Sequence, residues 1–202
     1  SPWASGGYPS ADPTPRQPVA LQLIMEDPAA AIYLGRPCYL GLSATKSCNP
    51  TFWTSKRYSA EVVDSLLAVI RHYREQYNAE KILLIGYSGG GTLAALLARE
   101  IKPPVFLLTL GANLNIELWT EVRGFLPLSG SLNPFDDRAH TAHIPQLHLA
   151  GLQDKVVPVV VMKSYESGME ERLFRYYPDV DHACCWLEIW PEILAERPWA
   201  AR

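Results

Sequence analysis

Three observations predict an α/β fold whose sheet is mainly parallel and flanked by helices. Strand-like and helix-like segments alternate from about residue 18 onward. Two of the strand-like segments, Lys81-Ile-Leu-Leu-Ile85 and Val105-Phe-Leu-Leu-Thr-Leu110, are continuous apolar runs, the pattern of strands covered on both faces. A glycine-rich turn, Gly86-Tyr87-Ser88-Gly89-Gly90, joins the first of these runs to the next helical segment.

The elements follow in order. Residues 1–18 are rich in Pro, Gly and Ser and predict an entry loop. Pro18 to Pro28 places a short helix between two prolines, with Pro18 in its first turn. Ala31-Ile-Tyr-Leu34 predicts a short strand, and Gly35 to Ser59 an irregular segment. From Glu61 to Gln76, residues Val62, Val63, Leu66, Leu67, Val69, Ile70 and Tyr73 recur at spacings of three and four, which predicts an amphipathic helix. The Lys81 strand is followed by a helix over about Gly90 to Arg99, which Pro103 and Pro104 stop. After the Val105 strand, Gly111 to Ile144 holds only a weak helical stretch near Ile116 to Val122. Connections this long are usually functional, so 111–144 is a candidate lid or substrate-shaping insertion. Gln146 to Ala150 predicts a strand, Val157 to Ser167 a helix, Leu173 to Tyr177 a strand, and a last helix begins near Ala183.

At 202 residues the chain suits one domain, which should bury roughly 70% of its unfolded surface. With 48% hydrophobic and 19% charged residues, composition excludes disorder and disulfide-dense miniproteins. A net charge of -3, a pI near 5.9 and the lack of any Lys/Arg cluster argue against a nucleic-acid partner. No apolar run reaches the length of a transmembrane helix.

The glycine-rich turn is a G-x-S-x-G nucleophile elbow in the strand-turn-helix context it requires. Its nucleophile is Ser88. A hydroxyl needs a base to take its proton and a carboxylate to orient that base. Asp154 lies just past the carboxyl end of the Gln146 strand, and His182 follows the Leu173 strand. Sites of open parallel sheets collect at the carboxyl ends of the strands, where all three residues fall. Asp179 and Asp181 are alternatives for the acid, although neighbours of His182 on one loop seldom face it.

Other residues have simpler readings. His72 belongs to an exposed helix face, and His148, inside a strand, to the core. His140 and His143 could hold a metal, but no third ligand accompanies them and no metal is expected. The run Tyr87 to Thr92 lacks the Gly-Lys-Ser/Thr ending of a nucleotide loop. Cys38 and Cys48 bracket a short loop and would close it as a disulfide in an oxidising compartment, or stand as buried thiols in a reducing one. The adjacent Cys184 and Cys185 are read as small apolar residues opening the last helix.

The order Ser88, Asp154, His182 on alternating strands and helices resembles the α/β-hydrolase superfamily. The motifs Asp12-Pro-Thr-Pro-Arg-Gln-Pro18, Arg36-Pro-Cys38, Phe52-Trp-Thr-Ser55 and Pro127-Leu-Ser-Gly-Ser-Leu-Asn-Pro134 resemble, within it, bacterial envelope α/β-hydrolases. The resemblance implies serine esterase or lipase-like activity without a metal or organic cofactor, and a periplasmic or envelope setting. It also implies an oxyanion hole with one NH from Gly89. The second NH comes, in that superfamily, from a loop leaving a strand before the first helix. No such strand precedes Pro18. Residues 1–202 are therefore expected to form one N-terminally incomplete domain with an unpaired strand edge, short of an oxyanion donor worth about 2.7–4 kcal/mol.

The expected activity is cleavage of a small-molecule acyl ester, with Trp3, Tyr87 and Trp119 as candidate walls of an acyl pocket. The competing class is a non-catalytic protein that uses the same fold for binding.

Overall fold

The computed structural model describes residues 2–4, 7–102, 105–196 and 199. Helix α1 spans Val19–Glu26, and Pro18 precedes it as the capping residue rather than lying in its first turn. Its carbonyl accepts from the NH groups of Leu21 and Gln22. Helix α2 covers Ala60–Gln76 and buries Val62, Val63, Leu66, Leu67 and Ile70. Val69, expected on the same face, is 37% exposed, because the buried stripe is narrower than the apolar pattern.

Strand β1 (Ile82–Tyr87) leads into α3 (Gly89–Glu100), then β2 (Val105–Leu110). Pro103 and Pro104, the expected stop of α3, lie outside the described residues. Helices α4 (Ile116–Arg123) and α5 (Arg138–Thr141) come before β3 (Gln146–Gly151), and α6 (Val159–Glu166) before β4 (Phe174–Tyr177). Helix α7 (Trp186–Glu196) closes the order.

The four strands run parallel in the order β1-β2-β3-β4. Strand β2 is buried throughout, which is why its sequence is apolar at every position. Its side chains alternate between two cores. Val105 and Leu107 join residues of α2, α3 and α6, whereas Phe106, Leu108 and Leu110 join Leu23 of α1 and Trp186, Trp190 and Ile193 of α7. The Trp190 indole donates to the Leu23 carbonyl at 3.0 Å and fixes α7 on α1. Among the described residues no helix is long and apolar enough to cross a membrane.

Larger departures from expectation lie elsewhere in the chain. Ala31–Leu34 is not a strand: among the described residues no neighbour forms a ladder with it, and residues 31–36 line one side of a cavity of about 270 Å³ whose other side includes Leu83 to Tyr87. Among the described residues, β1 accordingly pairs with β2 alone. The connector 111–144 is more ordered than its sequence suggests. Asn115 caps α4 by accepting from the Leu118 NH, Gly124 ends it at φ 63°, and an Arg99–Asp137 ion pair holds the far half against α3. The last helix starts at Trp186, not Ala183. Asp181 Oδ1 takes the NH groups of Ala183 and Cys184 into a turn, and Cys185 adopts φ 91°, a conformation that interrupts a helix.

Candidate active site

Ser88 sits between β1 and α3 at φ 53° and ψ -128°. A non-glycine residue there stores strain of order 1–3 kcal/mol, which the surroundings must hold. They do so by close approach: a Cβ on Gly86 would lie 2.5 Å from the Gly90 carbonyl oxygen, and one on Gly91 2.5 Å from the Ala112 Cβ. The third glycine of the motif, Gly90, faces open space, so the residue that packing requires is Gly91. The Ser88 NH donates to the Leu110 carbonyl at 2.9 Å, tying the turn to the end of β2.

Asp154 is brought in by the turn after β3. Its Oδ1 accepts from the NH groups of Val156 and Val157, both at 2.8 Å, which fixes the carboxylate and leaves Oδ2 for another donor. That donor is His182 Nδ1, at 2.7 Å. The Asp154 side chain is 2% exposed and that of His182 16%. Since a carboxylate only accepts, Nδ1 carries the proton, and Nε2 is left to accept from the Ser88 hydroxyl 3.0 Å away. The loops that carry Asp154 and His182 are joined by Leu152 NH to Tyr177 carbonyl and Gln153 NH to Val180 carbonyl bonds. The candidate acid that faces His182 is thus Asp154. Asp181 is engaged in its own turn, which holds its carboxyl below the usual range, and Asp179 is exposed.

The remaining candidates are scattered more widely. The Tyr87 hydroxyl donates to the His182 carbonyl at 2.5 Å, so this residue braces the loop that carries His182. Burial, then the Asp154 and Asp181 carboxylates, raise its phenol above the ordinary value and keep it protonated. Trp119 stacks edge-on against Phe125, and its indole NH donates to the Val156 carbonyl at 2.8 Å, beside the Asp154 turn. Trp3 is bridged to Pro9 in the entry segment and is 44% exposed. His148 is fully buried between Thr109 and Gln146, as its strand position implies, and His72, His140 and His143 are exposed.

Cys38 and Cys48 are joined as a disulfide with Cα atoms 5.5 Å apart. Cys184 and Cys185 are also bonded to each other, which corrects the reading of them as simple apolar residues. Their neighbour positions on a turn, outside α7, bring the sulfurs together. Sequence reasoning missed two further residues. Arg36 Nη2 and the Tyr58 hydroxyl each lie 2.5 Å from where a Cβ on Gly89 would sit, and nothing in their spacing signals it.

A parallel sheet with a serine on the turn after one strand, and a hydrogen-bonded His and Asp beyond two others, defines an α/β-hydrolase. The chain belongs to the Serine hydrolase (FSH1) family, whose model matches residues 20–177. No curated protein sequence matches it. Among solved structures it is similar to MGS-MChE2, an α/β hydrolase enzyme from the metagenome of sediments of the Mar Chica lagoon, Morocco. The two are 20% identical over 68% of each chain, with a TM-score of 0.52. The esterase domain of a Rhodothermus marinus protein gives the same values, 20% identity, 68% of each chain and 0.52. TT1662 from Thermus thermophilus is 22% identical over 70% of this chain and 63% of that one, at 0.54. At these identities the likeness is one of fold.

Proposed function

We propose that the protein cleaves carboxylic esters through an acyl-enzyme on Ser88. The observation that carries this reading is the unbroken line Ser88 Oγ, His182 Nε2, His182 Nδ1, Asp154 Oδ2, at 3.0 Å and 2.7 Å. The Ser88 oxygen attacks the acyl carbon while His182 Nε2 takes its proton. The carbonyl electron pair moves onto oxygen, where the Gly89 NH, the first of α3, meets the charge together with the positive end of the helix. When the tetrahedral adduct collapses, His182 returns the proton to the leaving alkoxide. Water then repeats the sequence on the acyl-enzyme, releasing the acid and restoring the Ser88 hydroxyl. Asp154 keeps the imidazole in its Nδ1–H form and offsets the charge of the imidazolium.

An apolar acyl group is supported by Trp119 and its partner Phe125 beside the Asp154 turn, with Phe125 49% and Leu126 87% exposed at the end of α4. The connector thereby acts as a substrate-shaping wall. The Cys38–Cys48 disulfide supports an oxidising compartment such as the periplasm.

Hydrolysis of p-nitrophenyl acetate, butyrate and octanoate tests the reading. Turnover that is lost with Ser88→Ala and with His182→Ala supports it. Turnover that survives Ser88→Ala, or a wild-type chain inert toward all three, rules it out in favour of other chemistry or a binding role.

A further inference from the structure

Gly89 is the residue after the nucleophile, and its lack of a side chain is used. A Cβ built there would lie 2.5 Å from Arg36 Nη2 and 2.5 Å from the Tyr58 hydroxyl oxygen, so two side-chain donors converge on the space a larger residue would fill. They arrive from separate parts of the irregular segment before α2. Tyr58 is 4% exposed, and its backbone is fixed by Ser131 Oγ on its NH and by the Leu132 NH on its carbonyl. Arg36 lies two residues before Cys38 of the disulfide, and its carbonyl accepts from the Tyr39 NH. Its guanidinium is flanked by the rings of Tyr39 and Tyr58, at 5.7 Å and 5.6 Å from their centroids.

What that guanidinium lacks is an anion. Among the described residues no carboxylate or carbonyl lies within bonding distance of it, although it is partly buried and carries five N–H donors. The Tyr58 hydroxyl likewise donates to no described group. Two donors without acceptors among the described residues, converging on the side-chain position of Gly89, whose NH opens α3, form a cradle for a negative oxygen. The serine-hydrolase reading, on which this inference rests, produces such an oxygen next to the Gly89 NH during each tetrahedral step.

We propose that Arg36 and Tyr58 are catalytic residues that join the Gly89 NH in binding the tetrahedral oxyanion. The geometry favours the oxyanion over a carboxylate elsewhere on the substrate, because both donors meet at the residue bonded to the nucleophile rather than out along an acyl or leaving group. The charge appears only in the tetrahedral state, so the contribution falls on kcat more than on KM.

The test uses the full chain with p-nitrophenyl butyrate and p-nitrophenyl hemisuccinate as neutral and anionic esters, and a trifluoromethyl ketone as a mimic of the tetrahedral state. Arg36→Met should lower kcat on both esters by about 10²–10³-fold, the loss that follows removal of one oxyanion donor, with KM within about twofold. Arg36→Lys should retain more activity than Arg36→Met. Tyr58→Phe, which deletes a single oxygen and keeps the ring, should also lower kcat at constant KM. Affinity for the trifluoromethyl ketone should fall in step with kcat in all three, a correlation that a purely structural role does not produce. Variants that keep wild-type kcat while Ser88 still reacts with a fluorophosphonate overturn this assignment alone. A loss confined to the KM of the hemisuccinate overturns it in favour of a substrate-carboxylate anchor. A wild-type chain whose Ser88 takes no fluorophosphonate overturns the serine-hydrolase reading and this one with it.

Discussion

The Tyr87 hydroxyl donates to the backbone carbonyl of His182 at 2.5 Å, while its ring lies 5.2 Å from the imidazole. The residue before Ser88 therefore holds the loop that carries His182. The same carbonyl accepts from the Trp186 indole at 3.0 Å, so the loop is pinned from the elbow and from α7 at once. Tyr87→Phe should cost about 1 kcal/mol of stability, the ordinary net value of one hydrogen bond. It should also slow ester turnover several-fold. Because the two donors share one acceptor, a double-mutant cycle of Tyr87→Phe and Trp186→Phe should show non-additive loss of kcat; strict additivity would show that the carbonyl does not couple them.

Asp154→Asn separates position from charge. The amide oxygen can still accept from Val156 and Val157, so the turn should survive and thermal unfolding should change little. The His182 tautomer should not survive, because an amide NH2 facing Nδ1 favours the proton on Nε2. The expected result is a fall in kcat of about 10⁴-fold, as for a triad held in the wrong tautomer. A fall of less than tenfold would assign the acid role elsewhere.

His148 gives the protein a pH-dependent stability that has no part in catalysis. Gln146 Nε2 donates to the Thr141 carbonyl, which turns Gln146 Oε1 toward His148 and makes Nε2 of the imidazole the protonated nitrogen; Nδ1 then accepts from the Thr109 hydroxyl. Burial pushes the imidazole down from 6.5 to about 3. The unfolded chain thus binds a proton that the folded one refuses, and stability falls as pH drops below 6.5, by about 1.4 kcal/mol per pH unit. Urea midpoints measured from pH 7.5 to 4.5 should decline accordingly. His148→Gln, which cannot titrate, should flatten the decline.

All four cysteines of the chain are paired, Cys38 with Cys48 and Cys184 with Cys185. A thiol assay in denaturant without reductant should find none, and two would leave one of the pairs unformed. Replacing Cys38 and Cys48 together with alanine should lower stability by about 2–4 kcal/mol, since the short loop then gains freedom in the unfolded chain.

Strands β1 and β2 were legible because burial on both faces writes itself into an unbroken apolar run. The turn at Ser88 was legible because a sharp strand-helix turn demands neighbouring glycines, and the meeting of His182 with Ser88 because both follow the carboxyl ends of strands in one parallel sheet. Ala31–Leu34 misled for a physical reason: its residues suit a strand, but a strand exists only when a neighbour supplies the ladder. The bracing role of Tyr87, and the approach of Arg36 and Tyr58 to Gly89, join residues far apart in the chain. Such contacts leave no periodicity or local spacing to read. Cys185 is a local case that still escaped, because a residue at φ 91° interrupts a sequence otherwise apolar enough for helix.

The central claim is that Ser88 is made nucleophilic by His182, and covalent labelling measures it most directly. The intact chain is treated with a fluorophosphonate, and the adduct is located by mass spectrometry of its peptides. A single adduct on Ser88, absent from Ser88→Ala and greatly slowed in His182→Ala, is the predicted result. A chain that takes up no label, or carries it on another residue with Ser88 unmodified, would contradict the account.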